Sequence, residues 1–216
     1  MAKRKLERFT EIATFPNVFQ LLNDDLKGKW HSNYFKNNHP IVLELGCGKG
    51  EYTVNMGQYF PDKNFIGIDF KGARLWRGAK TALEEGLSNV AFLRIQIENI
   101  ANFFAKNEVD EIWITFPDPQ PQISREKKRL TSPRFIKEYG SILKSGGFVH
   151  LKTDHDGLYN YSLEVIERLN LKLHTSTRDL YQSELLNEVL AIKTTYEKIY
   201  LAEQKRIHYL SFSIDK

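Results

Sequence analysis

The residues best suited to chemistry in this chain lie where short apolar runs stop. Ile41-Val42-Leu43-Glu44-Leu45 leads straight into Gly46-Cys47-Gly48-Lys49-Gly50. Glycines in such a turn allow a tight bend and let a ligand come close to the backbone. The spacing is G-x-G-x-G, shorter than the G-x-G-x-x-G of a dinucleotide site. Glu44, just before the turn, would repel a pyrophosphate. It would suit a ligand carrying an ammonium group, such as the methionine part of S-adenosylmethionine. Asp69 ends the next run, Phe65-Ile66-Gly67-Ile68, about 20 residues past the glycines, where an acid can accept hydrogen bonds from both ribose hydroxyls. An Asp there can equally cap a helix. Gln96 follows a third run, Val90 to Ile95, and its amide offers a donor and an acceptor to an adenine edge; Glu98 competes for that role. The fourth run ends in Thr115-Phe116-Pro117-Asp118-Pro119. Two prolines around one Asp keep the backbone stiff and extended, which fixes the Asp118 carboxylate at a strand end.

Residues at strand ends act together only if the strands lie side by side. From Pro40 the chain alternates apolar runs with helical patterns. The predicted strands are Ile41 to Leu45, Asn64 to Asp69, Val90 to Ile95, Glu111 to Phe116, Gly147 to Lys152, Leu171 to Thr175 and Ile207 to Ser213. The predicted helices are Glu51 to Tyr59, Gly72 to Gly86, Ile100 to Phe104, Pro133 to Leu143 and Gly157 to Leu169. Runs such as IVLEL and EIWITF show little polar alternation, as expected of parallel strands covered on both faces. The βαβ rhythm points to a doubly wound α/β fold, with ligands taken up at the carboxyl ends of the strands where the strand order reverses. The last elements suit an antiparallel strand inserted at the sheet edge. Residues 1–38 are set apart as a basic arm with a short helix near Val18 to Leu26. There Trp30, Tyr34 and Phe35 need something to pack on. Residues 39–216 form the main domain.

The length of 216 residues suits one such domain, and the net charge is a modest +4. The positive charge is clustered, however. Lys3, Arg4, Lys5 and Arg8 form one group; Arg125, Lys127, Lys128, Arg129 and Arg134 form another. Such runs are either solvated surface or a seat for a polyanion, since each phosphate contact releases counterions. The single cysteine, Cys47, excludes an intrachain disulfide and fits a cytoplasmic setting. No apolar run reaches the ~20 residues that span a bilayer, so no membrane partner is expected. His150 and His155 lack metal-ligand spacing, so no metal is expected either.

The stretches LELGCGKG, FIGID, EGLSNV, ITFPDP with the following REKKRL, LKTDH and TTYE occur in order from residue 42 to residue 197. In this respect the chain resembles the bacterial tRNA (guanine-N7-)-methyltransferase family. The resemblance implies a Rossmann-like methyltransferase fold, a seven-stranded and mostly parallel sheet with an antiparallel last strand and helices on both faces. It implies S-adenosylmethionine as methyl donor and the variable-loop guanine of tRNA (guanine 46 in standard tRNA numbering) as target. Carried over by position, Glu44, Gly46, Gly48, Asp69, Gln96 and Asp118 would line the cofactor site, with Asp118 also catalytic. Gln122, Asp154, Thr194, Thr195, Tyr196 and Glu197 would contact the guanosine, and Arg125, Lys127, Lys128 and Arg129 the RNA. The chain departs from the family at Gln120, where Trp is usual, at Gln122, where Lys is usual, and at Gln96, where Asp or Asn is common. Loss of that Lys removes a cation near the RNA, and Arg125 or Lys127 would have to replace it.

Guanine N7 is a lone-pair nucleophile and needs no prior deprotonation, so the enzyme's main task would be alignment. Asp118 and Asp154 would stabilise the cationic ring that results; Asp154 could instead be a plain strand-end cap. Tyr196 would stack on the base or belong to the core, and Thr194 with Glu197 would also suit a helix capping box. N7 lies in the deep groove of A-form RNA, so the base must sit in a loop or leave its stack. The rival readings are a methyltransferase for another RNA base or a small molecule, and a non-catalytic RNA-binding protein with this fold. The expected assembly is a monomer or homodimer.

Overall fold

The computed structural model describes residues 2–20 and 26–214. Its centre is one eight-stranded sheet. The strands in chain order are β1 (Val18–Gln20), β2 (Ile41–Leu45), β3 (Asn64–Ile68), β4 (Val90–Arg94), β5 (Val109–Thr115), β6 (Leu143–Thr153), β7 (Lys172–Thr177) and β8 (His208–Ser213). They lie side by side as β1-β4-β3-β2-β5-β6-β8-β7. All neighbours run parallel except β8, which is antiparallel to both β6 and β7. The helices are α1 (Ala2–Ile12), α2 (Glu51–Tyr59), α3 (Gly72–Glu84), α4 (Pro133–Ile142), α5 (Asp156–Arg168) and α6 (Thr195–Ala202).

Every residue of β2 and β3 is buried, which is why these runs carry no polar alternation. Alternate side chains feed two apolar layers. Leu43, Ile66, Leu93 and Ile114 face α4 and α5, where Phe135, Tyr139, Leu158 and Val165 cover them. Val42, Phe65, Phe92 and Trp113 face α2 and α3, where Tyr52, Met56, Leu75 and Ala79 cover them. The second layer closes tightly around Gly50. A Cβ there would stand 2.4 Å from the Phe92 ring, and its φ of +71° favours glycine independently.

The sequence predicts seven strands; the structure has an eighth. Val18 to Gln20 form β1 rather than the start of a helix, and they pair with Phe92 to Arg94 of β4. Residues 21–25 of that predicted helix lie outside the described residues, and Leu26, its last residue, is buried. Tertiary contacts override the local pattern here. The Asn17 carbonyl accepts the Phe92 amide proton at 2.8 Å, and the Asn17 side chain donates to the Ala79 carbonyl at 3.0 Å. Phe19 meets Trp30 and Tyr34 edge-on, at 5.2 and 5.0 Å between ring centroids. Trp30 in turn stacks on Phe104 and donates its indole N–H to the Phe103 carbonyl at 2.9 Å, so the N-terminal aromatics pack against the main sheet. The predicted helix at Ile100 to Phe104 is a 3₁₀ turn displaced to Ile97–Asn102. α1 lies along α3, with Glu11 accepting from Trp76 and Lys80, both at 2.8 Å.

Candidate active site

β2 is flanked by β3 on one side and β5 on the other, so the strand order reverses at its carboxyl end. A cavity of about 300 Å³ opens there. The glycine loop, Asp69, the Phe116-Pro117-Asp118 turn and the start of α6 all border it. At Gly48, with φ +58°, an added Cβ would meet no atom within 4 Å, so the bare backbone faces open space.

Glu44 forms the floor. It is 1% exposed, and its carboxylate accepts from the Thr53 amide at 2.9 Å, from the Thr53 hydroxyl, and from the Thr115 hydroxyl at 2.5 Å. Burial pushes its pKa up to about 7, against the pull of the Thr115 and Thr53 hydrogen bonds and with a further push from Glu51. Asp69 is half buried. Its two oxygens accept from the amides of Gly48 (3.0 Å) and Lys71 (2.7 Å), which ties the glycine loop to the end of β3.

Asp118 is exposed on the rim. One of its oxygens accepts the Gln120 amide proton at 3.1 Å, and the other is free for a ligand. The turn is more contorted than two prolines alone require. Phe116 (φ +48°) and Gln120 (φ +44°) both adopt left-handed backbone, which costs energy for side chains of this size and tends to be kept where function needs it. Beyond it, residues Ile123–Lys128 form a 3₁₀ turn fastened to α5. Glu126 accepts from the Tyr161 hydroxyl at 2.9 Å, and the Arg129 guanidinium lies 4.3 Å over the Tyr161 ring. Arg125, Lys127 and Lys128 remain exposed, and Lys128 reaches the cavity wall. In the N-terminal basic group Arg8 lies 4.6 Å over the Trp76 ring; the side chains of Lys3, Arg4 and Lys5 are outside the described set.

The opposite wall is the segment Thr194-Thr195-Tyr196. The Thr194 hydroxyl accepts the Glu197 amide proton at 3.2 Å and caps α6. The return half of a capping box is missing, because the Glu197 side chain turns inward. It is fully buried, 2.8 Å from the Lys152 ammonium and 2.9 Å from the Tyr181 hydroxyl. Lys152 also donates to the carbonyls of Leu190 (2.8 Å) and Ile192 (3.2 Å). Burial lowers the Lys152 pKa, and Glu197 opposes that. Tyr196 is 51% exposed and stacks on Tyr200, whose ring meets Phe116 at 5.7 Å.

The fold therefore brings Glu44, Gly46, Gly48, Asp69, Asp118, Lys128, Thr194, Thr195 and Tyr196 to one cavity. It does not bring the others there. Gln96 and Gln122 are exposed away from the wall, and Asp154 sits to one side, 3.5 Å from Lys205. Glu197 lies beneath the wall rather than on it. Sequence reasoning missed Glu51, Lys71, Arg74 and Thr115, all of which line the cavity. Of these only Thr115, next to the proline turn, carried a positional hint. Among the described residues no His, Cys, Asp and Glu side chains converge as a metal site, and no helix is long and apolar enough to cross a membrane.

Comparison with known proteins identifies the family and the fold. A family model described as "Putative methyltransferase" matches residues 38–210. The tRNA (guanine-N(7)-)-methyltransferase of Christiangramia forsetii is 53% identical, over 99% of each chain. That of Bacteroides fragilis is 49% identical, over 98% of this chain and 86% of its own. The crystal structure of the 16S rRNA methyltransferase KamB superposes with a TM-score of 0.65 at 16% identity, covering 85% of this chain and 91% of that one, which establishes a shared fold.

Proposed function

Because the chain belongs to the tRNA (guanine-N(7)-)-methyltransferase family, we propose how its own residues divide the work of methylating N7 of a tRNA guanine with S-adenosylmethionine, the variable-loop guanine being the target. A tRNA substrate puts this work in the cytoplasm. When bound, S-adenosylmethionine supplies a methyl group on a positively charged sulfur, already electrophilic and in need of no activation. The cavity fits such a ligand: bare backbone at Gly48, an acid on its floor, and a second acid at the strand end one place along the sheet. Glu44 and the glycine loop hold the amino-acid end, and Asp69 holds the ribose. Gln96, outside the wall in this structure, needs no part in this reading.

On the other side, Tyr196 stacks on the guanine, and Thr194 and Thr195 bond its polar edge. Asp118, between the two halves, accepts from the guanine ring and offsets the positive charge that the ring gains. No general base is required, because N7 attacks through a lone pair. The rate then comes from holding N7 in line with the methyl group and from keeping water out. Arg125, Lys127 and Lys128 hold phosphates beside the rim without reading sequence.

The observation that carries this reading is the meeting, across one cavity, of the glycine loop, the Asp118 turn and the Thr194–Tyr196 segment, which are far apart in the chain. The test is incubation with labelled S-adenosylmethionine and unmodified tRNA, followed by reduction and aniline cleavage at 7-methylguanosine. One cleavage in the variable loop is expected. Asp118→Ala should lower the rate at least about a hundredfold. Label at another base, or an unimpaired Asp118→Ala variant, would refute the proposal.

A further inference from the structure

Glu51 is not part of any recognisable motif, yet it stands between the two halves of the cavity. It is the first residue of α2, directly after Gly50. Its carboxylate accepts from both the amide (2.7 Å) and the hydroxyl (2.5 Å) of Thr195, 144 residues away. Both are charge-assisted bonds to a residue of the opposite wall.

The neighbours of Glu51 do related work. The Tyr52 hydroxyl donates to the Val189 carbonyl at 2.8 Å, and Thr53 donates twice to Glu44 on the cavity floor. Three successive residues of one helical turn thus grip the Thr194–Tyr196 segment, the loop leading to it, and the acid beneath the glycine loop. The approach from Glu188 to Lys193 belongs to no strand or α-helix; turn bonds such as Ala191 N–H to the Asn187 carbonyl (2.8 Å) shape it, and side-chain anchors tie it to the rest of the fold. A second cavity, of about 560 Å³, lies beyond, with Lys193 and Lys198 on its wall. Glu51 is the residue common to both walls, and Thr195, its partner, lies on the wall of the smaller cavity.

We propose that Glu51 is a positioning residue that couples the two binding events: it latches the guanosine-binding segment to the first turn after the glycine loop, so that cofactor occupancy strengthens tRNA binding. A ligand that settles the glycine loop also settles Gly50 and Glu51. Glu51 then holds Thr195 in place for the base. By reciprocity, bound tRNA tightens cofactor binding by the same factor. The proposal rests on the functional reading above, with Thr194–Tyr196 as the guanosine side.

Glu51→Gln and Glu51→Ala separate a latch from a simple structural staple. Glutamine can keep both bonds, its amide oxygen accepting the Thr195 N–H and its amide N–H donating to the hydroxyl. Alanine keeps neither. Binding of unmodified tRNA is measured with and without saturating S-adenosylhomocysteine, and tRNA KM, kcat and melting temperature are recorded beside it. In the wild type the cofactor product should tighten tRNA binding at least about fivefold. In Glu51→Ala this factor should fall to within about twofold of unity and tRNA KM should rise about tenfold. Affinity for S-adenosylhomocysteine without tRNA should not fall, because Glu44, Asp69 and the loop are intact and Glu44 only loses a neighbouring like charge. Glu51→Gln should keep most of the coupling. Wild-type coupling in Glu51→Ala, no coupling in the wild type, or a cofactor affinity that falls in step with that for tRNA would overturn the latch alone. A wild type that binds S-adenosylhomocysteine yet leaves N7 of tRNA guanines unmethylated would overturn the functional reading, and the latch with it.

Discussion

Replacing Lys152 by methionine keeps the volume of the stem and removes the ammonium. Both Lys152 and Glu197 are fully buried, so no water can take the place of the lost partner. Three acceptors lose their donor together: the carbonyls of Leu190 and Ile192, and the Glu197 carboxylate, which keeps the Tyr181 hydroxyl and a buried charge. Removing one member of a buried pair costs about 3–5 kcal/mol, a large part of the about 5–15 kcal/mol that holds a domain folded. At about 2–4 °C per kcal/mol for a chain of this length, the melting temperature should fall by about 6–20 °C. The double variant Lys152→Met/Glu197→Leu removes both charges and should recover part of the loss. Full recovery is not expected, because two carbonyls stay unpaired at about 1–3 kcal/mol each. The exposed pair Arg77–Glu84, 3.6 Å apart, is the internal control: Arg77→Ala should cost no more than about 1 kcal/mol. Thermal melts followed by circular dichroism, with urea titrations for the free energies, measure all four proteins. A Lys152→Met protein melting within about 2 °C of wild type, or a double variant no more stable than the single, would refute the reasoning.

Three further outcomes are expected at other side chains. Burial pushes Glu44 up to about 7, and a cationic ligand favours its ionised form, so S-adenosylmethionine should bind about fivefold more tightly at pH 7 than at pH 6, before its own α-amino group begins to lose charge; calorimetry should show this dependence flattened in Glu44→Gln. Glu111 is partly buried, which raises its pKa, yet contacts with His150, Lys63 and Trp113 bring it down to about 2. That stabilisation is complete above its ordinary pKa of 4.5 and is lost as pH falls through about 2, so Glu111→Gln should lower stability by up to about 3 kcal/mol at pH 5 and make unfolding less steep in acid. Neutralising Arg125, Lys127 and Lys128 together should weaken tRNA binding and reduce the salt slope of log K by about 2–3, if each meets one phosphate; an unchanged slope in filter-binding titrations would take these cations off the RNA.

How much of this was legible in the sequence depended on what each residue faces. β2 to β5 stood out because their central, buried stretches carry little polar alternation, and α2 because its start is fixed by the glycine loop. β1 did not stand out. Three residues carry too little pattern, and the partners that make them a strand are Phe92 to Arg94, Trp30 and Tyr34, far along the chain. The cavity divides in the same way. Glu44, Asp69 and Asp118 each end a strand beside the ligand site, so the distance from strand to ligand fixes their spacing and the spacing can be read. Glu51 and Lys152 face other segments of the chain instead. Their partners, Thr195, Leu190, Ile192 and Glu197, reach them only through the insertion of β8 between β6 and β7 and the loop it carries, and no local spacing encodes that. Glu197 shows the consequence. As part of T-T-Y-E it reads as one of four substrate contacts, but the helical turn that places Thr195 and Tyr196 on the wall rotates Glu197 into the core, where it pairs with Lys152. A four-residue segment at a helix start cannot present every side chain to one ligand, because successive residues are about 100° apart around the axis. The one charge that this segment offers to the guanine by sequence is for that reason turned to holding the segment in place.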